Sequence, residues 1–262
     1  MLKLLQRRSQ KGFTLIEMSI VLVIIGLIIG GILKGQEIIE SSRSKNVLSE
    51  IERIRAATNT FIDRYKALPG DFALAQNAAA AQARISTSAQ VVNGNGDGIV
   101  SGASVPTTKA TISALTGGAA GAAGTAENVP FFTHLSAAKL IGGVTVSNAA
   151  QASFGETSAV PAAAFPGTGF TLVYGTDNDV AGAELTAHWL RLHKGTPQVP
   201  AAGLLAKQLQ SIDVRIDDGL PSNGAVRSGL AVAPCGTLTI ATADYEPTVE
   251  SISCIALIDL IQ

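Results

Sequence analysis

Phe13–Leu33 reads FTLIEMSIVLVIIGLIIGGIL, 21 residues whose only charge is Glu17. About 20 apolar residues in a helix match the hydrocarbon thickness of a bilayer, so this stretch predicts a membrane-spanning helix. On its N-terminal side, residues 1–12 hold Lys3, Arg7, Arg8 and Lys11 and no acid. Removing those twelve residues from 262 leaves 250 with 15 basic and 20 acidic groups, a net charge of −5. A basic flank stays on the cytoplasmic side, so everything after Lys34 is expected outside the cytoplasm. A cleaved secretory signal would have an apolar core of about 7–15 residues and a small-x-small site after it. Here the core is longer and runs into Lys34-Gly35-Gln36-Glu37. A plain signal anchor fits the length but gives no account of Glu17. A carboxylate inside a membrane helix costs roughly 2.5–3.5 kcal/mol and normally has a partner. The field at a helix N-terminus favours an acid there, which explains tolerance but not need.

C-terminal to the span the apolar run ends and helical periodicity continues. Val47, Ile51, Ile54, Thr58, Phe61 and Tyr65 recur at spacings of 4, 3, 4, 3 and 4, one face of a helix. Glu50, Glu52, Arg53, Arg55, Asp63 and Arg64 form its wet side, and Pro69-Gly70 ends it. The first half of this helix needs lipid or copies of itself; the second needs a globular domain to pack on. From Phe13 to Lys66 it spans 54 residues, about 80 Å of helix. Gly26, Gly30, Gly31 and Gly35 are its weak points, each costing roughly 1 kcal/mol relative to Ala. Loosening near Gly26–Gly31 in an assembly and close helix packing weigh equally as their explanation.

Lys11-Gly12-Phe13-Thr14-Leu15-Ile16-Glu17 resembles the cleavage and methylation motif of type IV prepilins and type II secretion pseudopilins. It joins a short basic leader, Gly at the cut, Phe after it, Glu five residues into the mature chain and a long apolar run. The resemblance is strong over residues 1 to about 66 and soft beyond, where stretches similar to Phe131–Leu135 and Leu140–Gly143 follow an ALPGD-type turn, here Ala67-Leu68-Pro69-Gly70-Asp71, in some large pilin-like proteins. It implies that a membrane prepilin peptidase cuts between Gly12 and Phe13 and methylates the new Phe13 amine. It implies that Glu17 pairs with the Phe13 amine of a neighbouring subunit, the partner the membrane argument demands, setting helix register during assembly. Many pilins carry a proline about a third of the way along the helix; this chain has Lys34 in that region.

Beyond the helix, residues 71–130 are rich in Ala, Gly, Ser and Thr. A short helix is possible over 73–84, loop over 101–126, and a helix from Phe131 closed by Gly142-Gly143. Phe170–Tyr174, Ile212–Ile216, Thr237–Ile240 and Ser251–Ile255 read as strands, and Ala183–His193 as a helix with Leu185, Trp189 and Leu192 on one face. The expected fold is α+β and pilin-like: a long N-terminal helix, its first half transmembrane, packed against an antiparallel sheet. The expected divisions are a leader at 1–12, a membrane or filament-core half-helix at 13–34, an amphipathic half-helix at 35–66 and an extracytoplasmic head at 67–262. Cys235 and Cys254 are the only cysteines. The topology puts them in an oxidising compartment, where a disulfide outweighs two free thiols; pilins often staple their C-terminal segment this way.

Other chemistry is sparse. A net charge of −1 argues against a dedicated nucleic-acid binder. Asn93-Gly94-Asn95-Gly96-Asp97-Gly98 resembles half a calcium loop, but Ser104 stands where Glu is needed, so a tight turn is the better reading. Asp217 and Asp218 lie in a second loop where calcium is a minor alternative to a β-turn, and Asp177-Asn178-Asp179 is weaker still. His134, His188 and His193 read as surface or half-buried rather than zinc-binding or catalytic. No GxSxG, HExxH, P-loop or dinucleotide fingerprint occurs, so neither enzyme activity nor a cofactor is expected. The reading is a structural filament subunit, held in the bacterial inner membrane before assembly and in an extracellular pilus or periplasmic pseudopilus afterwards. Its expected partners are its own copies and other pilins, the prepilin peptidase, an inner-membrane assembly platform and lipid. The alternatives are a minor pilin, a type II secretion pseudopilin, or a binding or enzyme domain on a signal anchor.

Overall fold

The computed structural model describes residues 12–75, 85–86, 88, 90–100, 127–146, 153–177, 185–197, 200–229, 235 and 244–261. Helix α1, Leu15–Tyr65, is one unbroken α-helix of 51 residues. Contacts divide the chain into two compact units, Met1–Ser42 and Arg43–Gln262.

From Leu15 onward the first unit is bare helix. Leu15 is 92% exposed, Leu27 72% and Ile29 53%. β-Branched residues are mediocre helix formers in water, yet in lipid a helix is the way a single segment satisfies its own backbone. Gly26, Gly30, Gly31 and Gly35 have open space where a side chain would stand, so nothing within the unit requires them.

The second unit starts with the rest of α1. Val47, Ile51, Ile54, Thr58, Phe61 and Tyr65 are all buried, as their period predicts. Thr58 Oγ1 donates to Ile54 O at 2.8 Å, so its hydroxyl costs little to bury. After this helix come α2 (Asn128–Ala137), β1 (Thr168–Asp177), β2 (Leu185–Gly195), β3 (Pro200–Ala201), α3 (Ala206–Ile216), β4 (Val226–Ser228) and β5 (Ala256–Asp259). The strands make one antiparallel sheet in the order β1-β2-β5-β4, with β3 paired to the end of β2. The longest pairing runs from Thr168↔Lys194 to Asp177↔Leu185. Phe170, Leu172, Leu190, Leu192 and Ile258 join the α1 stripe in the main core, while Val173, Ala187, Trp189 and Leu257 form a second apolar cluster.

Four local expectations change. The helix expected over Ala183–His193 is, from Leu185 on, strand β2: Leu185, Trp189 and Leu192 mimic a helical spacing because β2 buries residues on both faces, which hides the period of two. Ile212–Ile216 belongs to helix α3, not a strand; Ala206, Leu209, Ile212 and Asp213 are its buried side, and a five-residue alternation was too short to tell the two apart. Ser251–Ile255 is irregular apart from a bridge between Leu204 and Cys254, and the strand begins at Ala256. Helix α2 is closed by Lys139 at φ 59°, with Leu140 N–H reaching Leu135 O at 2.9 Å, so the left-handed closing residue is a lysine rather than a glycine. Of the possible helix over 73–84, Ala73 and Leu74 form a turn. The rest of that stretch, the loop over 101–126 and the strand over 237–240 lie outside the described residues.

Candidate functional site

The N-terminal end of α1 brings together the residues that the motif singles out. Thr14 is the last residue before the helix and Glu17 sits in its first turn. Thr14 donates to Glu17 Oε2 from both its backbone N–H and its Oγ1, each at 2.8 Å. Glu17 N–H reaches back to Thr14 Oγ1 at 3.3 Å. This is a capping box, in which two otherwise unpaired helix-terminal amides are satisfied reciprocally. The sequence argument missed it, although the T-x-x-E spacing was legible. It gives Glu17 a local partner in the lone chain and ties the carboxylate to the helix start. Phe13 is 79% exposed beside it, and Gly12 precedes it without helical structure. Among the described residues, α1 is the one helix long and apolar enough to cross a membrane, by length and composition, and none of its most apolar window is buried.

The second unit holds the other candidates. The Asn93–Gly98 loop folds over Asp71, whose carboxylate accepts from the amides of Gly96 (2.6 Å), Asp97 (3.0 Å) and Gly98 (2.9 Å). Glu127 accepts from the Asn95 amide at 2.8 Å. Asp97 turns back on its own loop, taking Asn95 Nδ2 and the Ile99 amide, each at 2.8 Å. Gly94 lies so close to Asp71 that a Cβ would come within 2.2 Å of its backbone. Sequence reasoning flagged Asn93, Asn95 and Asp97 but not Asp71 or Glu127, which come from outside the loop. Burial pushes the Asp71 carboxyl up, against the pull of its three amide donors.

Asp217 and Asp218 follow α3. Asp217 accepts from the Ala225 amide and Asp218 from that of Leu220 at 2.8 Å. Asp213, on α3 itself, comes within 4.8 Å of both, oxygen to oxygen. It is fully buried and accepts the Tyr245 hydroxyl at 2.7 Å. Desolvation foremost, with Asp217 and Asp218 adding repulsion, raises its carboxyl to about 7. The strand reading of Ile212–Ile216 hid Asp213, because it mistook which residues face the interior.

Cys235 and Cys254 form a disulfide, with Cα atoms 5.5 Å apart. Against the expectation of surface or half-buried histidines, His134 and His193 are fully buried; His188 is half-buried as expected. His134 accepts the Gly70 amide on Nδ1 at 2.8 Å, so Nε2 carries the proton that meets Val92 O at 2.7 Å. His188 Nε2 accepts the Val100 amide at 3.2 Å. His193 lies 2.9 Å from Thr171 Oγ1, and Arg191 Nε also donates to that oxygen, at 3.0 Å. On strand β2 the spacing of five puts His188 and His193 on opposite faces. Burial lowers His134 and His188 to about 4; burial and then the Arg191 charge lower His193 to about 3. Burial also lowers Arg191 to about 9.

Residues 7–33 match the family model described as the prokaryotic N-terminal methylation motif. No curated protein and no solved structure matches the chain. The matched residues are those that carry the capping box and the exposed apolar helix, and the remainder of α1 packs with a five-stranded antiparallel sheet. The chain thus carries the type IV pilin and pseudopilin signature, on an α+β layout that fits a pilin-like fold.

Proposed function

We propose that the chain is a structural subunit of a type IV pilus-like filament. A prepilin peptidase removes residues 1–12 after Gly12 and methylates the amine of Phe13. The subunit waits in the inner membrane, N-terminus cytoplasmic, and polymerises through the first half of α1 with copies of itself or with other pilins. The observation that carries this reading is Glu17, held within a matched methylation motif at the start of a helix whose first, apolar half is exposed. A buried acid and a buried amine each cost free energy alone, and pairing offsets much of both. On assembly the carboxylate exchanges its Thr14 donors for the amine of a neighbouring chain, and the pair fixes helix register. The role is structural rather than catalytic, and the Cys235–Cys254 bond stiffens the extracytoplasmic unit. Calcium at Asn93, Asn95 and Asp97, or at Asp217 and Asp218, is not needed for it.

A pseudopilin or minor pilin uses the same N-terminal chemistry. Mass analysis of the N-terminus in surface-sheared material tests the reading: N-methyl-Phe13 at the start of abundant filament protein is expected. A mature protein that keeps Met1 overturns it in favour of a signal-anchored domain.

A further inference from the structure

A groove of about 570 Å³ runs between the exposed side of α1, at Arg53, Ala56 and Thr60, and the chain that follows α2, at Leu140, Ile141 and Gly143. Its walls are apolar and small; its charges are basic, with Arg53 in the lining and exposed Lys139 just before Leu140. In the first unit, Glu37-Ile38-Ile39-Glu40 has the opposite character. Ile38 is 60% and Ile39 53% exposed, and both lie past Lys34, beyond the stretch that lipid would cover. An acid flanks the isoleucine pair on each side. Among the described residues Glu37 pairs with the exposed Lys34, at 2.7 Å, a contact of small worth.

We propose that this groove receives the Glu37–Glu40 stretch of a second copy of the chain, the isoleucines covering its apolar walls and the acids meeting Arg53. The proposal rests on the filament reading above and adds a contact which that reading does not contain. Charge complementarity selects the occupant. The apolar stretch Met18–Leu33 of another copy has no acid to offer Arg53 and would strand the guanidinium against hydrocarbon. The contact makes a head-to-tail interface, which propagates along a filament rather than closing into a dimer.

The test uses the full chain assembled into filaments. The double variant Ile39→Cys/Ala56→Cys, oxidised in sheared filaments, is expected to give a ladder of disulfide-linked multimers that neither single variant gives. Arg53→Glu and Glu40→Arg are each expected to lower filament yield roughly fivefold, the upper range for an exposed pair, and the two together to restore it. Processed chains in normal filaments with no ladder, or a cross-link from Ala56→Cys to a cysteine placed at Ile25 instead, overturn the groove contact and leave the filament reading standing. A parent chain that keeps its leader and makes no filaments overturns both.

Discussion

The two halves of α1 share one backbone geometry and live by opposite rules. Residues 15–33 are apolar all round and exposed; between Arg43 and Tyr65 one stripe is buried and the opposite side is wet. In the second half, stability comes from a partner inside the same chain: Ile51 and Phe61 are fully buried by the sheet and α2. In the first half no described residue of the chain covers the side chains, so burying them would take lipid or other copies. Substitutions should therefore separate cleanly. Changes in the first half should alter assembly and spare the head; changes in the second should alter folding and spare insertion.

Glu17→Ala should have the largest effect. In the proposed filament it would remove one member of a buried pair, a loss of about 3–5 kcal/mol, so filament yield should fall more than about a hundredfold while membrane insertion and head unfolding are unchanged. Quantifying sheared filaments beside the membrane fraction checks this, and normal incorporation of the variant would refute the pairing role.

Acid should act on the other half alone. His134, His188 and His193 are held by burial at about 4, about 4 and about 3. Their folded values lie below the unfolded one, so the unfolded chain takes up protons first as pH drops. The stability they provide is present above about pH 6.5 and is lost as pH falls through the folded values, on the order of 3 kcal/mol per histidine. Asp213, raised to about 7, has the opposite sign. Its contribution is present below the ordinary carboxyl range and is lost as pH rises through about 7. Burial also raises Asp71, Glu50 and Asp259, with the same sign as Asp213, but the three histidines are displaced further and give a net loss on acidification. The near-ultraviolet signal of Trp189, fully buried, should collapse at mildly acidic pH while the helical signal of the first half persists in detergent.

Phe61→Ala should cost about 3–5 kcal/mol, because its ring packs against Tyr65 at 4.5 Å, His134 at 6.1 Å and Phe72 at 6.2 Å. Chemical denaturation should show the shift, with processing at Gly12 unaffected. Replacing both Cys235 and Cys254 by Ala should cost roughly 3 kcal/mol, since the bond closes residues 19 apart. A midpoint unchanged under reducing conditions would mean that the loop is already held by other contacts, such as the Tyr245–Asp213 hydrogen bond.

Long, one-sided patterns were legible from the sequence and short, two-sided ones were not. The stripe from Val47 to Tyr65 repeats over five intervals, enough to fix both the helix and its buried face. The β2 segment buries Trp189, Arg191 and His193 on one face and Leu190 and Leu192 on the other, so no alternation survived to mark it as a strand. The five residues Ile212–Ile216 could not separate a strand from one turn and a half of helix.

The N-terminal candidates were legible because their chemistry is local: a capping box and a span need neighbours only three to twenty residues away. By itself, then, the sequence determined the apolar span, the amphipathic stripe, the motif at Gly12–Glu17 and the choice of Cys235 and Cys254. Each of these depends on order along the chain. Only the tertiary structure decided that β2 is a strand, that Asp71 closes the Asn93–Gly98 loop, that Asp213 and Tyr245 meet, and that His134 and His193 are buried hydrogen-bond partners. Those outcomes depend on which distant groups exclude water together, and burial, unlike helical periodicity, is a property of the whole folded chain.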